Sequence, residues 1–231
     1  MIELRKADQR GRADFGWLDS RHSFSFGSYY DPAQMGFSAL RVINDDIVSP
    51  GAGFATHGHR DMEIISYVLQ GSIEHKDSEG HVQRMQAGEF QLMSAGSGIY
   101  HSEYNASDTL PLRFLQIWIQ PDRVGEAPDY QQQAFEMKPG LTAIVTPNGA
   151  DGTLRIKQDA RLYRLNLNPG ESLSYENPLA RHVYVHLIEG ELDINQTVLS
   201  AGDGAKIADE LLISLTSHGQ QPVTALVFDL P

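Results

Sequence analysis

Cysteine is absent from the 231-residue sequence, which contains nine histidines. Without thiols the chain can form no disulfide, no thiolate nucleophile and no sulfur-ligated zinc or iron–sulfur site. Any metal in this protein must therefore be held by histidine and carboxylate side chains.

Long apolar runs and an excess of positive charge are missing as well. No apolar stretch approaches the roughly 20 residues that a membrane-spanning helix needs, and the first residues lack the apolar core of a secretory signal. We therefore expect a cytoplasmic protein with no membrane partner. The 18 Lys and Arg residues face 30 Asp and Glu residues, which gives a formal net charge of −12. This balance argues against a broad surface for nucleic-acid phosphates, so no nucleic-acid partner is expected.

The rest of the sequence consists mainly of short apolar or alternating runs separated by glycine and proline. With 41% hydrophobic and 21% charged residues, the composition is that of a globular protein. Runs of this kind are typical of β-strands, and they cover residues 38–43, 63–70, 112–120, 141–146, 161–167, 183–188 and 223–228. The best short helical candidate is 130–137. The pattern predicts an all-β sandwich or barrel.

A repeat and a polar, glutamine-rich segment divide the chain into two halves. Five positions of the first half recur in the second at a constant offset of 119 residues, as Gly51/Gly170, His57/Glu176, His59/Pro178, Glu63/His182 and Gly71/Gly190. The segment that follows residue 121 has the composition of a domain boundary. We predict an N-terminal domain at 1–121, a linker at 122–140 and a second domain of the same β unit at 141–231.

Two short motifs supply a candidate metal site. In a strand, residues i and i+2 share a face, so His57 and His59 point the same way, as do His101 and Glu103. A lone pair of histidines could be accidental. However, His101 follows His59 by 42 residues, and a hairpin between them can bring the two strands together. This arrangement favours a metal site over an accidental pair. Three imidazoles and one carboxylate suit Fe(II), Mn, Co, Ni, Cu or Zn.

Other histidines and carboxylates are given lesser roles. His75 and His81 flank the tip of a predicted hairpin, where we expect them to be solvated. His182 and His186 share a strand face without a suitably spaced carboxylate, so no second metal site is expected there. Glu63 lies four residues after His59 and is expected to orient one of the metal-binding imidazoles. No role is assigned to His22 or His218.

These motifs resemble those of the pirin family, whose members contain two cupin domains. The resemblance rests on RHSFSFGSYYDP at 21–32, RVINDD at 41–46, HGHRDME at 57–63 and HSE at 101–103. It is dense over the first ~120 residues and mainly architectural in the second half. Glu63 falls one residue early for the acidic ligand of the general cupin motif, and Ser94 replaces a usual proline. Both departures also occur in the pirin branch.

The resemblance implies an all-β bicupin, with two β-barrel or jelly-roll cupin domains, that opens the central ring of flavonols such as quercetin with O2 and releases carbon monoxide. It places one divalent ion, expected to be Fe(II), on His57, His59, His101 and Glu103, and it does not count Glu63 as a ligand. Glu103 would also accept the proton of the flavonol 3-hydroxyl. The second domain, with Glu176 and Pro178 in place of the histidine pair, should hold no metal.

Three other functions remain compatible with these motifs. The first is a non-enzymatic, redox-sensing module that binds protein partners, as metal-containing transcriptional cofactors related to pirin do. The second is another cupin chemistry such as sugar-phosphate isomerisation, for which Arg60 and Arg113 are the only nearby phosphate ligands. The third is a scaffold with a vestigial metal. For the dioxygenase the expected partners are a flavonol and O2. We expect a monomer, because a bicupin can bury its sheet edges within one chain.

Overall fold

The computed structural model describes residues 1–178 and 181–231, which form β-strands joined by turns. The strands up to residue 135 are β1 (Ile2–Arg5), β2 (Gly11–Asp14), β3 (Leu18–His22), β4 (Leu40–Val48), β5 (Gly53–His59), β6 (Glu63–Gln70), β7 (Ser72–Asp77), β8 (Val82–Gln86), β9 (Glu89–Ser94), β10 (Ile99–Asn105), β11 (Leu112–Ile119) and β12 (Asp129–Ala134). The later strands are β13 (Gly140–Thr146), β14 (Leu154–Arg155), β15 (Arg161–Leu167), β16 (Ser172–Glu176), β17 (His182–Glu189), β18 (Glu191–Ile194), β19 (Thr197–Ser200), β20 (Gly204–Ile207), β21 (Leu212–Ser217) and β22 (Val223–Leu230).

In the residues that the structure describes, helical structure is confined to short turns. Two 3-10 turns cover Ala7–Gln9 and Ala150–Gly152. Within the described part of the chain, no helix has both the length and the apolar character needed to cross a membrane.

The chain divides into two compact units. The first unit comprises Gly11–Phe135 and Leu154–Gln158, and the second comprises Met1–Arg10, Glu136–Thr153 and Asp159–Pro231. The predicted ranges were 1–121, 122–140 and 141–231. The observed units differ from them, because the first ten residues belong to the second unit and the first unit extends beyond residue 121 to Phe135. The first ten residues join the second unit because β1 pairs antiparallel with β20, with Ile2 opposite Ile207.

The first unit is a pair of antiparallel sheets packed face to face. One sheet has the strand order β12-β9-β6-β11-β4-β3-β2, and the other has the order β5-β10-β7-β8. Their inner faces share a core in which Phe114 and Val68 of the larger sheet lie in the same apolar cluster as Ile73 and Met85 of the smaller one. Apolar burial between the two faces is the main force that holds such a sandwich together.

The second unit repeats this architecture. Its sheets contain the orders β1-β20-β17-β22-β15-β13 and β16-β21-β18-β19, and Val185 and Leu187 of the first lie in one apolar cluster with Ile194 and Leu215 of the second. The all-β, two-cupin prediction is confirmed. Throughout the described residues the sheets form open jelly-roll pairs instead of closed barrels.

The duplicated turns show the repeat at the level of the backbone. Gly71 and Gly190, which occupy equivalent places, have φ angles of 83° and 84°, in the left-handed region that favours glycine. A Cβ atom at Gly71 would lie 2.9 Å from the Pro111 carbonyl oxygen, and one at Gly190 would lie 2.5 Å from that of Pro222. The same close approach between chain segments therefore requires glycine in both copies.

Strand β12 corrects two predictions for the segment between the halves. Its residues were expected to belong to a linker and, from residue 130 onwards, to a short helix. Instead Tyr130 pairs with Met93 and Gln132 with Gln91 along β9. The single Tyr130 hydroxyl proton can be donated to the side-chain oxygen of Gln132, at 2.8 Å, or to that of Gln91, at 3.2 Å. Pairing with the edge strand β9 supplies backbone hydrogen bonds and covers an open sheet edge. A short, weakly amphipathic helix would gain neither.

We predict that Phe114→Ala destabilises the first unit by about 3–5 kcal/mol, because it removes a fully buried ring from the shared core. Urea unfolding followed by circular dichroism measures this change. The control Val124→Ala alters a side chain that is 75% exposed and should shift the free energy of unfolding by no more than about 0.5 kcal/mol. Equal stability of the two variants would contradict the assigned core.

Candidate metal centre and its cavity

The pairing of β5 with β10 brings the two predicted histidine motifs together. His57 lies directly opposite His101 in the antiparallel register, and the register shifts between His101 and Glu103. The imidazole centroids of His57, His59 and His101 lie 4.5 to 4.9 Å from one another. Gly53 permits the close approach of the strands at the shift, since a Cβ atom there would lie 2.4 Å from the Glu103 carbonyl oxygen.

Alternation along β10 explains why its chemically active side chains face inward. Ile99, His101, Glu103 and Asn105 are all buried, whereas the intervening Tyr100 is 64% exposed. A strand with one face on the core and one in solvent shows this period of two.

The three imidazoles bring their potential ligand nitrogens within 4.8 Å of one another. His57 Nδ1 donates to the Ala55 carbonyl oxygen at 2.8 Å, which leaves Nε2 without a hydrogen in the neutral ring, 3.1 Å from His101 Nε2. Burial and the neighbouring His101 and His57 lower the pKa of His59 to about 4. Burial and the neighbouring rings also lower the pKa of His101 to about 3. Neutral rings of this kind are metal ligands, and ligand nitrogens about 3 Å apart fit a single coordination sphere.

Two neutral donors fix the Glu103 carboxylate inside the unit. Ser66 Oγ donates to Oε1 at 3.2 Å, and Gln116 Nε2 donates to Oε2 at 3.1 Å. Ser66 and Gln116 are themselves opposite each other on β6 and β11. A buried carboxylate oriented by hydrogen bonds on both oxygens is held ready to act as a ligand.

The four predicted ligands fall into two overlapping groups that share His101. The potential ligand atoms of His57, His59 and His101 lie within 4.8 Å of one another, and so do those of His75, His101 and Glu103. His75 was not among the residues predicted for this site.

The prediction that His75 is solvated is wrong. Its side chain is fully buried on β7, opposite Glu103 in the register of β10. His75 Nε2 contacts Asp77 at 3.1 Å, and the same carboxylate accepts from His81 Nδ1 at 2.9 Å. Among the described residues His75 Nδ1 has no hydrogen-bond partner. Because alternate residues of a strand share a face, the buried side of Ile73 would have predicted a buried His75 as well. The predicted turn nearby indicated a solvated position instead.

Glu63 does not contact an imidazole through any hydrogen bond in the described residues, so the expected orienting role is not supported. Its Oε2 accepts from Ser94 Oγ at 2.9 Å and from the Lys157 backbone N–H at 3.1 Å. Burial raises the pKa of Glu63, although these two hydrogen bonds oppose the rise. Glu63 therefore connects β6 to β9 and to the 154–158 segment of the first unit.

An aromatic cavity of about 560 Å³ opens beside His57 and His59. Trp17 and Phe54 meet edge to face at 5.2 Å on its wall, and Phe26 and Trp118 do so at 5.3 Å. The indole of Trp118 also packs against the His59 ring at 5.0 Å. Such walls favour a flat aromatic ligand.

Polar side chains line the same cavity, and the sequence reasoning missed them. They are Ser20, His22, Asn44, Asp46 and Gln116. His22 is buried, and its Nδ1 donates to Asn44 Oδ1 at 2.8 Å. The sequence feature that could have identified them is a polar residue at an inward-facing position of an otherwise apolar strand, as at positions 44, 46 and 116.

The two jelly-roll units and the imidazole cluster in one of them define a bicupin with a candidate metal centre in its first domain. The Pirin family matches residues 3–119, and the quercetinase C-terminal cupin domain matches residues 143–230. The chain belongs to the pirin family.

Relatives extend this similarity over the whole chain. It is 49% identical over 231 residues to the quercetin 2,3-dioxygenase of Escherichia coli strain K12, covering 100% of this chain and 99% of the relative. The crystal structure of YhhW from Escherichia coli matches with a TM-score of 0.97 at 48% identity, covering 100% of this chain and 98% of that one. A structure of bacterial pirin YhhW in complex with nickel(II) matches with a TM-score of 0.96 at 48% identity, covering 100% and 99% of the two chains.

We predict that Glu63→Gln binds as much added divalent metal as the parent protein does and is at least as stable as the parent at pH 8. A raised folded-state pKa means that the native protein keeps its proton where the unfolded chain has lost it, so stability falls as pH rises above the ordinary Glu pKa. Glutamine cannot ionise and still accepts both hydrogen bonds. Urea midpoints at pH 5 and pH 8, with elemental analysis, measure both effects. Glu79→Gln at the exposed β7–β8 turn is the control, and loss of metal from Glu63→Gln would restore the orienting role.

Proposed function

We propose that this protein is a metal-dependent dioxygenase that opens the central ring of flavonols such as quercetin with O2 and releases carbon monoxide. The observation that carries the proposal is the cluster of His57, His59 and His101, which shares His101 with a second group that contains Glu103 and has His57 and His59 on the wall of an aromatic cavity of about 560 Å³. The 49% identity to a quercetin 2,3-dioxygenase over the full chain supports the reaction type.

The donor set fits one divalent transition ion. His57, His59 and His101 would each supply a neutral nitrogen, and Glu103 would supply a carboxylate oxygen. Bound there, such an ion would supply Lewis acidity and a template for a substrate oxygen. We propose Fe(II), because mixed imidazole–carboxylate sets with open positions serve non-haem iron oxygenases. Nickel(II), present in a structure of the Escherichia coli relative, is the alternative.

Glu103 is the group that we propose takes the proton of the flavonol 3-hydroxyl. Its carboxylate is held by Ser66 and Gln116, so it does not have to reorient when the substrate arrives. Proton removal by a positioned carboxylate makes the flavonol electron-rich and ready to react with O2. The flat rings lie between the aromatic walls, where Trp17 and Trp118 exclude water from the reacting edge.

We predict that His101→Ala loses both the bound ion and flavonol turnover, since it removes the residue shared by both ligand groups. Elemental analysis and the loss of quercetin absorbance in air measure the two effects. The control His218→Ala changes an exposed histidine and should keep both properties. Full turnover by His101→Ala, or by metal-stripped parent protein, would contradict the proposal.

We predict that Glu103→Gln lowers kcat for quercetin by about 100-fold or more, because an amide cannot accept the proton. Stopped-flow mixing of anaerobic enzyme with the flavonol, followed by oxygenated buffer, separates binding from reaction. Exposed Glu79→Gln serves as the matched control. An unchanged kcat in a metal-loaded Glu103→Gln variant would remove the base role.

We further propose that the chain acts as a monomer, so the partners in the reaction are the flavonol and O2. Light scattering on a size-exclusion column should give a mass near 25.6 kDa. A stable mass of twice that value would overturn the monomer without affecting the proposed chemistry.

A further inference from the structure

Asp46 is a buried carboxyl group in the wall of the aromatic cavity, outside the four proposed metal ligands. It is 2% exposed and lines the cavity. On β4 it lies opposite Ser20 of β3 and Phe114 of β11. Its side chain therefore extends from the inner face of the larger sheet toward the space that a ligand would occupy.

The Asp46 carboxyl has little support from the protein. Ser20 Oγ donates to Asp46 Oδ1, and within residues 1–178 and 181–231 this is the one hydrogen bond formed by the side chain. Burying a carboxyl with a single hydrogen bond is costly, so such a group is expected to have a further partner in the functional state. Burial, with contributions from Asp45 and Glu103, raises the pKa of Asp46 to about 7 although Ser20 opposes the rise. Near neutral pH the group can therefore donate as well as accept.

The strand register relates Asp46 to the proposed reaction centre. Asn44, two residues before Asp46 on the same face of β4, is opposite Gln116, whose amide holds Glu103. Residues i and i+2 of a strand are roughly 7 Å apart. A planar ligand with one hydroxyl beside Glu103 can therefore present a second polar group, on another ring, to Asp46.

The walls of the cavity restrict the chemistry of that second group. The neighbouring lining residues include the aromatic pairs Trp17–Phe54 and Phe26–Trp118, which favour a flat ring over a flexible chain. A carboxyl group that can both donate and accept is matched by a hydroxyl group. The occupant with both properties is a hydroxylated aromatic ring.

We infer that Asp46 is a specificity-determining residue that binds a phenolic hydroxyl on an outer ring of the substrate. This inference rests on the proposed function, because it assumes a flavonol whose 3-hydroxyl lies beside Glu103. Asp46 would then distinguish among flavonols. Those with hydroxyls on the outer rings gain a contact with its carboxyl group. 3-Hydroxyflavone, whose one hydroxyl is on the central ring, does not.

The test compares the binding of quercetin with that of 3-hydroxyflavone to the metal-loaded, full-length protein under anaerobic conditions, where no turnover occurs. Quenching of tryptophan fluorescence gives Kd for each flavonol. For Asp46→Ala we expect roughly a tenfold or greater rise in the Kd of quercetin, and less than a twofold change for 3-hydroxyflavone. Asp46→Asn, which keeps a donor and an acceptor in place, should retain part of the preference.

Asp45→Asn is the matched control. Asp45 is the preceding carboxylate of β4, and on the opposite face of the strand it accepts two hydrogen bonds from Arg113, at 2.9 and 3.0 Å. This variant should leave the preference for quercetin unchanged. Ser20→Ala, which removes the hydrogen bond to Asp46 and spares the carboxyl, should keep most of the preference if the substrate is the functional partner.

Each outcome separates the inference from the proposed function. Equal losses of affinity for both flavonols in Asp46→Ala and Asp46→Asn, with circular dichroism and metal content intact, overturn the inference and assign Asp46 to cavity structure. An unchanged Kd of quercetin in Asp46→Ala, together with O2-dependent turnover of quercetin by the parent protein, overturns the inference alone. A preference that depends on Asp46, without O2-dependent loss of quercetin, overturns the dioxygenase alone. Failure of the parent protein to bind either flavonol overturns both.

Discussion

The antiparallel pairing of β5 with β10 is the constraint on which the candidate metal centre depends. It sets His57 opposite His101 and, through the shifted register beyond His101, Phe54 opposite Glu103. Side chains alternate between the two faces of a strand, so a slip of one residue would turn the imidazoles of one motif away from those of the other. The hydrogen bonds of the backbone ladder thus determine ligand geometry before any ion arrives.

The larger sheet contributes the complementary constraint, a row of polar side chains across its inner face. Asn44, Gln116, Ser66 and Gln91 occupy successive strands in register, and two of them hold Glu103. The hydrogen bonds from Ser66 and Gln116 hold the Glu103 carboxylate in one orientation, which buried polar contacts define more sharply than apolar contacts do. The smaller sheet therefore carries the candidate ligands, and the larger sheet, through Gln116 and Ser66, holds one of them in place.

Much of this could be predicted from sequence, and the reasons for success and failure are physical. Strand periodicity and the 119-residue repeat indicated two copies of one all-β unit, and the resemblance to the pirin family implied the bicupin. The spacing of two local motifs selected His57, His59, His101 and Glu103 as candidate ligands. These signals are local. His75 was missed because a nearby turn outweighed the alternation of its strand, and the pairing of β12 was missed because it depends on the free edge of β9. Which residues line the cavity depends on the order and register of the strands in the sheets, and these could not be deduced from this one sequence.

In the second copy of the domain, a single proline accounts for both an absent donor atom and an interrupted strand. The residue equivalent to His59 is Pro178, and β16 ends at Glu176, two residues before it. Proline has a fixed φ and no backbone N–H, so the ladder cannot simply extend through that position. Histidine at 178 would therefore change two things at once, because it supplies an imidazole and also the backbone N–H and the freedom in φ that a longer strand needs. The two copies thus differ at a position where one residue type determines both the potential ligand atom and the backbone that carries it.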